Sequence, residues 1–226
     1  MSHEEAMAQS IGGQFEAFGI IQVEMLRYYG LREDQTLIDV GCGSGRTAYP
    51  LSRSHSGGYL GTDLVSDLLD HARKLCARPD WRFEIVDRMY IPAEDESADM
   101  VCMFSVLTHL LHEQSYLYLE EAKRVLKPGG RIVFSFLEFL MPFHWDVFQG
   151  TINDARSGNE NPLNVFVERD AIKAWAEHLG LTLLEIRNGS EPYVPLPEAV
   201  TLDDGRVMEG FGNLGQSICC LEKPAL

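Results

Sequence analysis

Three glycines at alternate positions, Gly41, Gly43 and Gly45, follow directly on the apolar run Leu37-Ile38-Asp39-Val40. Glycine at such a bend takes backbone angles closed to residues with a Cβ, and it leaves no side chain between the loop and a bound molecule. An acid, Asp63, ends the next apolar stretch, 22 positions beyond Gly41. That is about where a strand–turn–helix unit carries the carboxylate that accepts from a ribose. A further acid, Asp87, ends a third apolar stretch. Together these residues describe a site for a nucleoside. The spacing is neither the Gly-x-Gly-x-x-Gly of dinucleotide enzymes nor a P-loop, since no Gly-Lys-Ser/Thr follows.

Such a site needs a parallel sheet beneath it, and the hydrophobic pattern supplies one. Strands are expected over residues 36–40, 59–63, 82–86, 98–104, 131–137, 181–187 and 215–222. Helical spacing of apolar residues predicts helices over 15–29, 46–54, 66–77 and 168–179, and another leading out of 105–111 and reaching about residue 126. The strand–helix alternation through residue 137 demands parallel strands with right-handed crossovers. The last two strands have no helix between them, which favours antiparallel pairing. The expected fold is α/β: doubly wound, mostly parallel, seven-stranded and Rossmann-like, with the last strand antiparallel. Residues 1–12 read as a loosely packed lead-in; Gly12-Gly13-Gln14-Phe15 reads either as a hinge or lid or as the start of a helix that merely covers one sheet edge. Residues 138–164 and 188–213 read as irregular insertions, the first rich in aromatics.

The chain has 226 residues, enough for one such domain and hardly two. Formal net charge is −15, which argues against a broad nucleic-acid footprint and against an anionic membrane surface. The five cysteines include no Cys-x-x-Cys pair, so neither a disulfide framework nor a structural zinc site is expected. No metal spacing links the histidines, and lone ones such as His55, His112, His144 and His178 are most often surface residues. The acidic start lacks the regions of a signal peptide, and no run of about 18 apolar residues suggests a membrane span. A reducing cytoplasm is the expected location.

With Asp63, Asp87 and the turn Lys127-Pro128-Gly129-Gly130-Arg131 added to the glycine loop, the chain resembles the class I S-adenosylmethionine (SAM)-dependent methyltransferases, in particular the small-molecule type. The resemblance is close over roughly residues 36–137 and holds only in outline elsewhere. It implies SAM as cofactor, with S-adenosylhomocysteine as product. It also assigns a cofactor-binding set: Gly41, Cys42, Gly43, Gly45 and Arg46 in the loop, Asp63 on the ribose hydroxyls and Leu64 beside the adenine. Asp87 would accept from the adenine amine and Arg88 contribute a backbone contact, though the family more often has a small or apolar residue at that second position. Phe104 and Ser105 would meet the methionine end. Asp39, an acid within an apolar strand, is expected to bond the amides of the glycine loop. Cys42 has no base beside it in sequence and reads as a small packing residue, not a nucleophile.

The reaction implied is direct in-line transfer of a methyl group to an O or N atom of a small metabolite. The cofactor is already the electrophile, so no triad or metal cluster is required. His109 is the candidate general base, because histidine is the side chain that ordinarily titrates near neutrality. Glu138, just after the fifth strand, is a weaker candidate. Acceptor specificity is expected in the N-terminal helix and the two insertions, and Phe139, Phe143, Trp145 and Phe148 could line an apolar pocket, stack on a planar acceptor or form a small hydrophobic cluster that pins the loop. No Asn-Pro-Pro-Tyr-like motif follows the fourth strand, which weighs against methylation of nucleobase or glutamine amines. Two other readings compete: a non-catalytic SAM-binding or regulatory protein of the same fold, and a nicotinamide oxidoreductase, which the glycine spacing disfavours.

Overall fold

The computed structural model describes residues 14–159 and 163–225; the lead-in, Gly12 and Gly13, and residues 160–162 of the first insertion lie outside them. Seven strands form one sheet in the order β3-β2-β1-β4-β5-β11-β6. These are β1 (Leu37–Val40), β2 (Tyr59–Asp63), β3 (Arg82–Ile85), β4 (Ala98–Met103), β5 (Leu126–Phe136), β6 (Thr182–Arg187) and β11 (Ser217–Glu222). The first five are parallel to one another, while β11 runs antiparallel to both β5 and β6. That is the expected fold, last strand included.

Alternation along the strands sends side chains to two cores. Ile38, Val40, Val101, Met103, Ile132 and Phe134 pack with α4 (His112–Val125) and α6 (Arg169–Leu179). Leu37, Met100, Cys102, Val133, Ile218 and Cys220 pack in a second cluster with α1 (Phe15–Tyr28), α2 (Ala48–Leu51) and α3 (Ser66–Cys76). Each fully buried Leu, Ile or Phe contributes roughly 1.5–3 kcal/mol, so the central strands are strongly held. The site is built at their carboxyl ends.

Four local expectations are corrected. The helix read over 46–54 is only Ala48–Leu51, because the chain stays in turns through Thr47 and bends again at Ser52. Residues 127–130 do not merely turn the chain. They enter β5 as a bulge, the register jumping from Ala98↔Leu126 to Met100↔Arg131, with the Gly129 amide donating to Lys223 O at 2.7 Å. The stretch 105–126 is a 3-10 turn at Leu107–His109 followed by α4, separated by extended Leu110 and Leu111. Residues 138–164 are not irregular throughout, since α5 (His144–Ser157) occupies half of them and ends at Gly158, φ 69°.

The second insertion forms two short pairs, β7 (Val194–Pro195) with β10 (Phe211–Gly212) and β8 (Val200–Thr201) with β9 (Val207–Met208). Leu196, Val200 and Leu202 pack there against Ala17 and Ile21 of α1. The α1 backbone approaches the glycine loop closely: a Cβ on Gly19 would stand 2.4 Å from Arg46 O.

Candidate functional site

The β1 strand ends at Val40, and the chain then turns through Gly41 (φ 71°), Gly43 (φ 55°) and Gly45 (φ 93°). Both Gly41 and Cys42 donate their amides to Thr62 O, at 2.8 and 3.0 Å, so the loop is pinned to β2. Asp63 finishes the clamp. Its Oδ2 accepts the Gly43 amide at 2.9 Å and its Oδ1 the Val65 amide at 3.0 Å. A carboxylate has about four lone-pair positions, so one remains on each oxygen. Gly41 cannot be replaced cheaply, since a Cβ there would meet Val106 Cγ2 at 2.5 Å in addition to the backbone strain.

A cavity of about 550 Å³ opens over this loop. Gly41, Cys42, Gly43, Arg46, Asp63 and Leu64 line it, as do Phe104, Ser105 and His109. The structure thus brings nine of the twelve sequence-read site residues into one space. Gly45 lies beneath, where a Cβ would touch Ala72 of α3 at 3.0 Å. Asp87 and Arg88 are exposed and outside the lining, which takes their neighbours Val86 and Met89 instead.

Arg46 faces Phe18, its guanidinium carbon 5.9 Å from the ring centroid. Burial lowers its pKa to about 10, partly offset by Asp203 from the second insertion. Cys42 is buried and its thiol is pushed well up by desolvation and by Asp39 and Asp63, which fits a packing role.

Asp39 has different partners from those expected. Instead of loop amides, Oδ2 accepts from the Tyr59 hydroxyl at 2.8 Å and Oδ1 from the Cys102 thiol at 3.4 Å. The loop amides face Thr62 O and Asp63, leaving Asp39 to side chains on neighbouring strands. Burial raises its pKa to about 6, against the lowering effect of those two bonds. The folded state therefore binds this proton more tightly than the unfolded chain does. The resulting stabilisation is full below about pH 4 and is lost as pH rises through about 6. Relative to Asp39→Asn, the wild type should lose on the order of 2–3 kcal/mol between pH 4 and 7, read from urea midpoints. A stability difference flat across that range would contradict the shift.

Ser105, just past β4, sits at φ 57°, a conformation that non-glycine residues hold only under external constraint. A closed ring of hydrogen bonds supplies it. The Ser105 amide donates to Ser135 Oγ at 2.7 Å, Ser135 donates to Gln216 Oε1 at 2.6 Å, and Gln216 Nε2 donates to Ser105 Oγ at 3.1 Å. Gln216 itself lines the cavity, as do Asn164 and Gln22. None of these three was legible beforehand, since each is a lone polar residue far in sequence from the glycine loop.

His109 stands on the cavity wall, with Nδ1 2.7 Å from Leu163 O. A carbonyl only accepts, so Nδ1 carries the proton and Nε2 of the neutral ring holds the lone pair. Glu138, by contrast, is spent. It is fully buried, accepts from Arg169 Nε and an Arg169 terminal nitrogen at 2.7 Å each, and accepts from the Ser217 hydroxyl. His144 and His55 are buried, not superficial as expected: His144 bridges Glu138 N–H and Gly215 O, and His55 meets Gln35 O. Among the described residues no group of three His, Cys, Asp or Glu is placed to hold a metal, and no helix is long and apolar enough to cross a membrane.

A doubly wound sheet with a glycine bend and a strand-end acid at its carboxyl edge defines a nucleoside-cofactor protein. Its residues fit an adenosyl cofactor without phosphates. Acceptor oxygens remain on Asp63, apolar Leu64, Val86 and Met89 offer flanks for a base, and Arg46 lines the same cavity. Residues 38–134 match the family profile described as a methyltransferase domain, and the fold is that of the class I SAM-dependent methyltransferases.

Methyltransferase GfsG of Streptomyces halstedii is 28% identical over 174 residues, 73% of this chain and 59% of that protein. The ubiquinone biosynthesis O-methyltransferase of Hydrogenovibrio crunogenus is 29% identical over 131 residues, 55% of this chain and 52% of its own. The tRNA N(3)-cytidine methyltransferase METTL2 of Gallus gallus is 28% identical over 121 residues, 47% and 31%. The chain thus spans about a third to three-fifths of the length of these curated relatives.

In fold it resembles a SAM-dependent methyltransferase from Methanosarcina mazei, with TM-score 0.66, 16% identity and coverage of 89% and 98%. It also resembles magnesium protoporphyrin IX methyltransferase from Synechocystis PCC 6803 with bound SAH, with TM-score 0.62, 15% identity and coverage of 91% and 84%. SAM is the cofactor of this family.

Proposed function

We propose that this protein methylates an O or N atom of a small metabolite, with His109 Nε2 taking the proton of the acceptor. One observation carries the reading: His109, its Nδ1–H held by Leu163 O, lines the same cavity as the glycine loop and Asp63. When bound, SAM supplies an electrophilic methyl group. The protein's own work is then positioning and proton handling. Asp63, with the loop it clamps, fixes the nucleoside end, and Phe104 and the constrained Ser105 shape the far end. His109 removes the proton as the acceptor nucleophile attacks. Holding the partners in line is worth roughly 7–11 kcal/mol of barrier.

The relatives named for their acceptors include an enzyme of ubiquinone biosynthesis and a 27-O-demethylrifamycin SV methyltransferase, which supports a hydroxyl on a small molecule. One relative is named for tRNA, but the net charge of −15 opposes a polyanionic substrate. The free, buried cysteines, at 42, 76, 102, 219 and 220, suit a reducing cytoplasm.

Labelled SAM incubated with a metabolite extract and, separately, with bulk tRNA tests the reading. Label should enter an extractable small product. Label in tRNA alone, or S-adenosylhomocysteine binding without any turnover, would overturn it. His109→Gln should leave S-adenosylhomocysteine affinity within about twofold while kcat falls about 10²–10⁴-fold, the usual contribution of a general base. An unchanged kcat would remove His109 from the chemistry.

A further inference from the structure

An aromatic shelf is built on α5 and the 163–167 strap, two elements that also contribute to the cavity wall. Phe139 and Phe166 stack at 4.4 Å and 7° between planes, Phe148 meets both edge-on, and Trp145 tilts against Phe139 at 6.0 Å. Such rings ordinarily pack inward, yet Phe139 is 45% and Trp145 49% exposed, with Leu140 beside them at 59%. Contiguous exposed apolar surface of this kind marks a binding surface more often than a fold requirement.

The shelf adjoins residues of the cavity wall. Val147, between Trp145 and Phe148 on α5, lines the cavity, and so does Asn164, whose amide donates to Thr151 of the same helix at 3.2 Å. The strap 163–167 that carries Phe166 also carries the carbonyl that fixes His109. The rings and the His109 wall thus share two elements, α5 and the 163–167 strap.

Space and charge narrow the occupant. The 550 Å³ cavity must take the cofactor and the reacting end of the acceptor together, which leaves no room inside for a large acceptor body. Around the shelf stand the exposed acids Asp146 and Glu168, and the chain as a whole is strongly acidic. They disfavour an anionic partner, whether a lipid surface or a charged tail.

We propose that the acceptor is an uncharged amphiphile: a polar group that enters the cavity toward His109, on an alkyl or polycyclic apolar body that lies outside on the Phe139–Trp145–Phe148–Phe166 shelf. This rests on the cavity being the methyl-transfer site. Burying about three methylene groups on the shelf gives roughly 50-fold in affinity.

The test uses the full chain and the neutral fluorescent probe N-phenyl-1-naphthylamine, displaced by 4-hexylphenol or by phenol. S-adenosylhomocysteine affinity is followed by calorimetry in parallel. Wild type should bind hexylphenol about 50-fold tighter than phenol. In Trp145→Gln and in Phe139→Ser, both at exposed positions, that ratio should fall below about 5, with S-adenosylhomocysteine affinity unchanged. A ratio that survives both substitutions overturns the proposal. So does a shelf covered by a second copy, seen as a mass that halves in Trp145→Gln by light scattering, or by neutral phosphatidylcholine vesicles that displace the probe. Loss of S-adenosylhomocysteine binding in wild type, with the tail preference intact, would instead sink the methyl-transfer reading.

Discussion

Asp63→Ala should weaken S-adenosylhomocysteine binding by at least 100-fold while the chain stays folded. Two effects act together. The carboxylate accepts the Gly43 and Val65 amides, so its removal frees the glycine loop and leaves two donors to find other partners. It also carries the two lone pairs left for vicinal hydroxyls of a ribose. Hydrogen bonds to a charged group are each worth about 1.5–3 kcal/mol, so losing two costs about 3–6 kcal/mol, or about 10²–10⁴-fold. Asp63→Asn should fall between, because its amide nitrogen cannot accept. Calorimetry gives the affinity, and a thermal melt shows that the variant is folded. Since Asp63 is only half-buried, the melting temperature should move little. A folded Asp63→Ala protein that binds within threefold of wild type would remove the ribose role.

That prediction could be framed before any coordinates, and the reason is physical. The loop's work is done by backbone atoms whose placement depends on glycines two residues apart and on an acid at the end of the adjoining strand. All of this is local in sequence. The central strands were equally plain, since residues buried on both faces leave near-continuous apolar runs such as Ile132–Phe136.

What stayed hidden depends on long-range pairing. Gln216 enters the site only because β11 inserts between β5 and β6 and starts beside Ser135. Helix α5 was read as irregular because it has no buried apolar stripe: its one buried side chain is His144, and its aromatics point outward. Glu138 looked like a free base because its partner Arg169 lies 31 positions away, across the whole of α5. Asp87 is assigned through the resemblance, and the strand end leaves it exposed beside the cavity residues Val86 and Met89.

The Glu138–Arg169 pair leads to a large expected effect on stability. Glu138 has no exposure at all, whereas Arg169 keeps about a quarter of its side chain in solvent. Removing the arginine therefore strands a buried carboxylate, which costs about 3–5 kcal/mol, far more than the intact pair contributes relative to an apolar replacement. Arg169 also donates to Asn188 at 2.6 Å, and Glu138 accepts from Ser217, so the pair joins β5 to α6, β11 and the start of the second insertion.

In a domain of this size each kcal/mol moves the melting temperature by about 2–4 °C, so Arg169→Met should melt about 8–15 °C below wild type. The double variant Glu138→Gln, Arg169→Met keeps the shape and removes the stranded charge, and it should recover more than half of that loss. Urea unfolding of the two single variants and the double closes the cycle. A coupling below about 0.5 kcal/mol would show that the charge is solvated by other means. Because Leu137 and Phe139 flank Glu138, the same lesion should disturb the aromatic shelf before the glycine loop. Near-native S-adenosylhomocysteine affinity in Arg169→Met, alongside a loosened hydrophobic-probe site, is the expected signature at temperatures below its melt.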